Sequence, residues 1–281
     1  MGRSKGFRSI LFGIGATAFV ACGSEENRSA GSSAPATATP PQAALSSTAV
    51  SSTAPASSAA PVGPDGMLRI PGGTKKRCIY KNEEVFHCEG PEVTVKDFYL
   101  DRLEVTLDEY SSCVRDHKCG TTGLDAEHFC NYAADRRGRN VEDIGKHPAN
   151  CISFPDAKAY CQSVGKRLPT RDEWEYAARG EDSRIYPWGS TAQKWSEELG
   201  TWACWRHTGT CKVGTFPPKQ APYELRDMAG NVSEWTSEGV ACGSAWMDPD
   251  LDVTEMVALT RCRPKRDKPD PAIGFRCARS I

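Results

Sequence analysis

Thirteen cysteines in a chain of 281 residues constrain this sequence more than any other feature. The first, Cys22, stands alone behind a leader-like segment, and the other twelve fall in a body that begins near residue 66. An even, dense set of cysteines in an exported chain reads as a disulfide framework, because oxidising compartments keep such bonds closed. Structural zinc would call for paired C-x-x-C knuckles, and the sequence contains no C-x-x-C.

Export is itself written in the first residues. Arg3, Lys5 and Arg8 form a basic stretch, and Ile10 to Ala21 an apolar one, the pattern of a secretory signal. The segment closes Phe19-Val20-Ala21-Cys22, which resembles a bacterial lipobox with Phe19 where Leu is usual. The expectation is a signal peptide over 1–21 and lipidation of Cys22. Several acyl chains on one residue anchor stably, since each buried CH₂ contributes about 0.8 kcal/mol. Residues 22–65 are Ser, Ala, Thr and Pro with almost no large apolar side chain. Such a stretch cannot bury enough surface to offset its ordering entropy, so it reads as a disordered tether. A coil of about 40 residues has an r.m.s. span of roughly 35 Å. The expected location is the cell envelope, on the outer membrane, with membrane contact through the lipid anchor only; no stretch after residue 22 is apolar enough to span a bilayer. A formal net charge of −1 implies no nucleic-acid partner.

At Met67 the composition changes abruptly, and 66–281 is expected to be one folded domain. Met67 to Gly73 reads as a short strand closed by a turn, and Glu92 to Leu100 as another strand. Leu107 to Arg115 is helical, with Leu107, Tyr110 and Val114 on one face and Thr106 as N-cap. Pro155 to Val164 is a second helix, begun near Ser153 or Phe154. Thr170 to Arg179 is a third, opened by the capping box Thr170-x-x-Glu173. Beyond Gly180 the chain is rich in Gly, Pro and Trp, which suggests long ordered loops pinned by disulfides.

Several motifs then occur in a fixed order: Leu68-Arg69-Ile70-Pro71-Gly72-Gly73; Phe98 to Thr106; His147-Pro148; Asp156 to Cys161; Gly165-Lys166-Arg167-Leu168-Pro169-Thr170; Glu173 to Gly180; Tyr186-Pro187-Trp188-Gly189; Asp227 to Trp235; and Gly274-Phe275-Arg276-Cys277-Ala278. Together they resemble the formylglycine-generating-enzyme, or sulfatase-modifying factor, family over about residues 67–281. The resemblance implies an α+β fold related to C-type lectins, loop-rich, low in regular secondary structure and stabilised by disulfides. Trp174, Tyr176, Trp188 and Trp235 read as apolar anchors of a loop-rich core. Arg167, Glu173 and Glu175 read as buried ion pairs between loops, not as catalytic groups.

The resemblance also implies a structural calcium ion, held by the carbonyls of Ala229, Gly230 and Val232 and the carboxylate of Glu234, an all-oxygen set that suits Ca²⁺. The family's other calcium site lacks its Asn here, where Trp202-Ala203-Cys204 stands. The family's bridge from its AYC to its GFRC motif corresponds to Cys161–Cys277. Local spacing suggests Cys78–Cys88, Cys113–Cys119, Cys130–Cys151 and Cys204–Cys211, and elimination leaves Cys242–Cys262 as a sixth bridge; the alternative for these last two is a redox-active pair.

Members of the family oxidise a sulfatase cysteine to an aldehyde with O₂ and a cuprous ion held by two thiolates, a soft pair. Both thiolates follow the GGS motif, here Cys242-Gly243-Ser244; the corresponding positions are Met247 and Asp252, and no Cys lies between Cys242 and Cys262. The Asn shortly before GFRC is Ala272 here. No catalytic residue is therefore assigned and no copper is expected. An iron-binding H-x-x-x-H-x-E pattern is absent too; His87, His117, His128, His147 and His207 read as surface residues. Two functions stay open: a binding or scaffolding module with a protein or glycan partner at the envelope, or an active oxidase or modifying enzyme with altered ligands. A weaker lectin-like reading rests on Trp202 and Trp205 as exposed aromatics.

Overall fold

The computed structural model describes residues 62–77, 79–81, 85–87, 90–126, 128–134, 140–182, 184, 187–189, 203–217, 222–248, 262–263 and 269–281. All belong to one compact unit, Pro55–Ile281. The signal segment, Cys22, the tether, the Cys78–Cys88 pair, Trp202 and Asp252 lie outside the described residues.

Eleven short strands and three helices are described: β1 Leu68–Ile70, β2 Gly73–Lys76, β3 Ile79–Lys81, β4 Val85–His87, β5 Glu92–Val95, β6 Phe98–Leu100, α1 Leu107–Arg115, α2 Phe154–Ser163, α3 Arg171–Arg179, β7 Ser233–Trp235, β8 Ala241–Cys242, β9 Cys262–Arg263, β10 Ile273–Gly274 and β11 Ala278–Ser280. Each helix begins where a side chain can satisfy its free N–H groups. Thr106 accepts from Glu109 N while Glu109 accepts from Thr106 N at 2.7 Å. Ser153 accepts from Asp156 N, so α2 starts at Phe154 and Pro155 occupies its first turn. Thr170 and Glu173 form the same reciprocal box on α3. That helix ends at Gly180, whose φ of 69° favours a residue without a Cβ.

Glu92 to Leu100 does not form one strand. The chain breaks at Lys96-Asp97, β5 pairing with β2 and β6 with β1 and β11. Asp97 causes the break: its carboxylate accepts from Gly72 N at 2.8 Å and from Arg69 at 2.6 Å, tying the bend to the turn after β1. In the resulting sheet β1–β6–β11, Leu100 lies opposite both Leu68 and Ala278, so the first and last strands flank β6. A second sheet, β10–β7–β8–β9, carries the Gly230 to Trp235 motif beside the one ending at Cys277.

Two apolar clusters fill the unit. One gathers Trp174, Tyr176, Leu100, Phe98, Trp188 and Met228 between α3 and the first sheet. The other gathers Tyr110, Tyr160, Phe275, Ile152 and Trp235 beneath α1 and α2, with Tyr160 and Phe275 edge-to-face at 5.4 Å. Among the described residues five disulfides tie the loops down: Cys113–Cys119, Cys130–Cys151, Cys161–Cys277, Cys204–Cys211 and Cys242–Cys262. These are pairs drawn from the sequence above.

Candidate functional site

Between the two clusters lies a charged centre from which water is excluded. Arg276, fully buried just before β11, holds Glu234 of β7 in a two-pronged contact, Nη2 to Oε1 and Nε to Oε2, both 2.7 Å. Trp174 Nε1 also donates to Oε2 at 2.7 Å. The remaining guanidinium donors reach the carbonyls of Asp101, Arg102 and Arg226. One ion pair therefore joins β7, the C-terminal segment and the chain after β6. Burial alone would lower the Arg276 pKa, but Glu234 and the neighbouring Glu104 and Asp227 outweigh it and hold the group charged.

Two further carboxylates sit beside this pair. Glu104 accepts from Asn231 Nδ2 and from Val232 N. Burial, then the charges of Asp227 and Glu234, push its pKa well up. Asp227 accepts from Gly214 N, and burial pushes its pKa up to about 6. Three carboxylates around one guanidinium are an excess of negative charge, which the fold meets with backbone N–H donors and a raised proton affinity at Glu104 and Asp227. The Asn231 backbone, with φ of 55°, is left-handed; it turns the loop so that its N–H reaches Cys204 O and its Oδ1 receives Cys211 N–H. Gly230 N donates to Ser244 Oγ at 2.9 Å, fixing the same loop against the segment after β8.

These contacts decide what the site can hold. The Glu234 oxygens already accept three short bonds, two of them from a cation, so in this arrangement the carboxylate has little left to offer the Ca²⁺ that the resemblance implies. The residues at the implied copper positions do not fit a cuprous dithiolate centre. Met247 carries an exposed side chain, Asp252 lies outside the described residues, and Cys242 and Cys262, opposite each other on β8 and β9, share a disulfide. A thioether offers no thiolate charge, and a disulfide sulfur is not a thiolate.

Other residues singled out in the sequence find distinct places. Glu175 is buried on α3 between Lys75 Nζ at 2.8 Å and Arg179 at 3.2 Å, joining β2 to the helix. Arg167 pairs with Glu173 at 2.7 Å but is about one-third exposed, so that pair is superficial. His117, His128 and His207 are exposed; His147 is not. It is buried, with Nδ1 2.9 Å from Thr210 Oγ1, because its own carbonyl accepts from Leu107 N at the start of α1 and the preceding Lys146 carbonyl accepts from Val213 N. Trp205 also departs from expectation: it packs into the first core cluster, with the Arg206 guanidinium 5.4 Å from its ring centre. Glu104, Asp227 and Arg276 were given no role from sequence. All three lie inside the ordered motifs, so motif membership of a charged residue was the available signal.

Fold and site together define a disulfide-stabilised, loop-rich α+β domain organised around an internal carboxylate–guanidinium network. The chain matches the family described as the sulfatase-modifying factor enzyme 1-like domain over residues 53–281, and it belongs to that family. It is 32% identical over 264 residues to the inactive C-alpha-formylglycine-generating enzyme 2 of Bos taurus, covering 75% of this chain and 87% of that protein. It is 36% identical over 254 residues to the formylglycine-generating enzyme of Thermomonospora curvata, covering 71% and 77%. The solved structure of PvdO from Pseudomonas aeruginosa shares the fold at a TM-score of 0.55 and 21% identity, covering 76% of this chain and 94% of that one.

Proposed function

We propose that this protein is a lipid-anchored binding or scaffolding module of the bacterial cell envelope, built on the formylglycine-generating-enzyme fold without that fold's copper chemistry. The single observation that carries the reading is the replacement of the thiolate pair. The positions that would hold a cuprous ion are Met247 and Asp252, and the two cysteines that flank this segment are bonded to each other. The frame around them persists: Arg276, Glu234 and Trp174 still lock the GN-x-x-EW loop, and Ser244 still receives Gly230 N–H. A family member that keeps the frame while losing the metal donors retains a shaped surface more readily than a reaction. The likeness to an inactive bovine relative supports the same view.

In this reading Cys22 carries the anchor, the tether holds the domain clear of the lipid, and the partner is a protein or glycan at the envelope. The test is incubation of the purified protein with a C-x-P-x-R peptide, copper and O₂, followed by mass spectrometry of the peptide. The expected result is unchanged cysteine. Conversion to the aldehyde would overturn the proposal and favour an oxidase with altered ligands.

A further inference from the structure

Away from that centre, Cys204, His207 and Cys211 sit in a C-x-x-H-x-x-x-C loop whose ligand atoms all lie within 4.8 Å of one another. Cys204 and Cys211 are joined by a disulfide, His207 is exposed, and Cys211 is half-buried. The loop borders a cavity of about 330 Å³ lined by His207, Thr208, Gly209 and Thr210 together with Asn140 and Val141. We propose that this loop is a thiol-gated metal site: opening the Cys204–Cys211 disulfide creates a Cys₂His set that takes a thiophilic d¹⁰ cation such as Zn²⁺.

Three features carry the inference. The first is the donor set. Two thiolates and one imidazole suit tetrahedral Zn²⁺, and three protein ligands leave a fourth position open. Here His207 itself lines the cavity. The two sulfurs need only part to about 3.8 Å, the edge of a tetrahedron with Zn–S of about 2.3 Å. The second is a frame that does not depend on the disulfide. Cys204 O accepts from Asn231 N at 2.8 Å, Cys211 N donates to Asn231 Oδ1 at 2.9 Å, and Arg206 N donates to Trp246 O at 3.0 Å. Both ends of the loop thus stay fixed when the sulfur–sulfur bond opens. The third is selectivity. Cys130–Cys151 and Cys161–Cys277 are fully buried at both sulfur-bearing residues, whereas Cys211, like Cys119 and Cys262, is partly open to solvent. Cys113–Cys119 closes a loop of similar length, but the Cys204, His207 and Cys211 trio is the one such three-residue cluster among the described residues.

The step balances. A dithiol reductant delivers two electrons and two protons, its own sulfurs closing to a disulfide while Cys204 and Cys211 become thiols. Binding of Zn²⁺ then displaces the two thiol protons to solvent.

The test uses the full chain. The oxidised protein is treated with graded dithiothreitol, and each cysteine is assigned by differential alkylation and mass spectrometry. Cys204 and Cys211 are expected to label before Cys161 and Cys277, with near-UV circular dichroism still native. One equivalent of Zn²⁺ should then protect both from alkylation, and Co²⁺ in its place should give a thiolate-to-cobalt absorption band. His207→Ala should weaken metal binding by about tenfold or more, since loss of a direct ligand costs at least what loss of an outer-shell partner does, while leaving the oxidised fold unchanged. Reduction of all bridges together with loss of native dichroism would overturn the proposal. So would metal binding without thiolate absorption, or unaltered affinity in His207→Ala or His207→Gln.

Discussion

Arg276 and Glu234 are each fully buried, and their pair is the residue-scale feature on which the fold leans hardest. Removing one partner leaves the other charged and unpaired, which typically costs about 3–5 kcal/mol. Arg276→Met should therefore lower stability by that amount in urea unfolding, more than Arg167→Met, whose partner is superficial. Asp227 supplies a pH dependence of opposite sign to the usual salt-bridged carboxylate. Its folded pKa, about 6, stands above the ordinary 3.8, so the folded state binds the proton more tightly than the unfolded chain. Its contribution to stability is present at low pH and is lost as pH rises from about 4 to about 6. The gap corresponds to about 3 kcal/mol. Asp227→Asn keeps an acceptor for Gly214 N–H and should remove that slope, making the variant relatively more stable above pH 6; matched urea titrations at pH 4.5 and 7.5 check it. The sequence announced neither role. An ion pair buried between residues 42 apart, like the burial of His147 and Trp205, depends on which loops meet, and no local period records that.

The helices, by contrast, were legible, because their signals are local. Thr106, Ser153 and Thr170 each cap the helix that follows by a bond spanning three residues, and Gly180 stops α3. Thr170→Ala should cost about 1 kcal/mol as measured by chemical denaturation, and Glu173→Ala should lose in addition its pairing with Arg167. The strands were less legible. Alternation over Glu92 to Leu100 suggested one element, but Asp97 spends its carboxylate on Gly72 and Arg69 and divides it. A strand of three residues owes its existence to partners far away in the chain, so its limits are set by contacts that the pattern alone does not contain.

At the scale of the molecule, disulfides and ordered motifs replace regular secondary structure. The fold family was legible because those motifs are specific; the departure at the implied copper positions was legible because Met247 and Asp252 stand there instead of cysteines. The charged centre emerged only when distant segments were brought together, whereas the Cys204 to Cys211 loop is local. In the chain-entropy picture, a bridge closing 116 residues contributes about 4.8 kcal/mol and one closing 7 residues about 2.4 kcal/mol. Cys161→Ser with Cys277→Ser should thus lower stability roughly twice as much as Cys204→Ser with Cys211→Ser, read as urea midpoints at equal m-value.

The fold keeps its frame while Met247 and Asp252 stand where the resemblance places paired thiolates. Peptide mapping of the purified protein, digested without reduction after alkylation of any free thiols, tests this most directly. Cys242 and Cys262 should be recovered in one disulfide-linked peptide pair carrying no alkyl label. Recovery of both as alkylated free thiols would place a soft dithiol beside Ser244 and contradict the account.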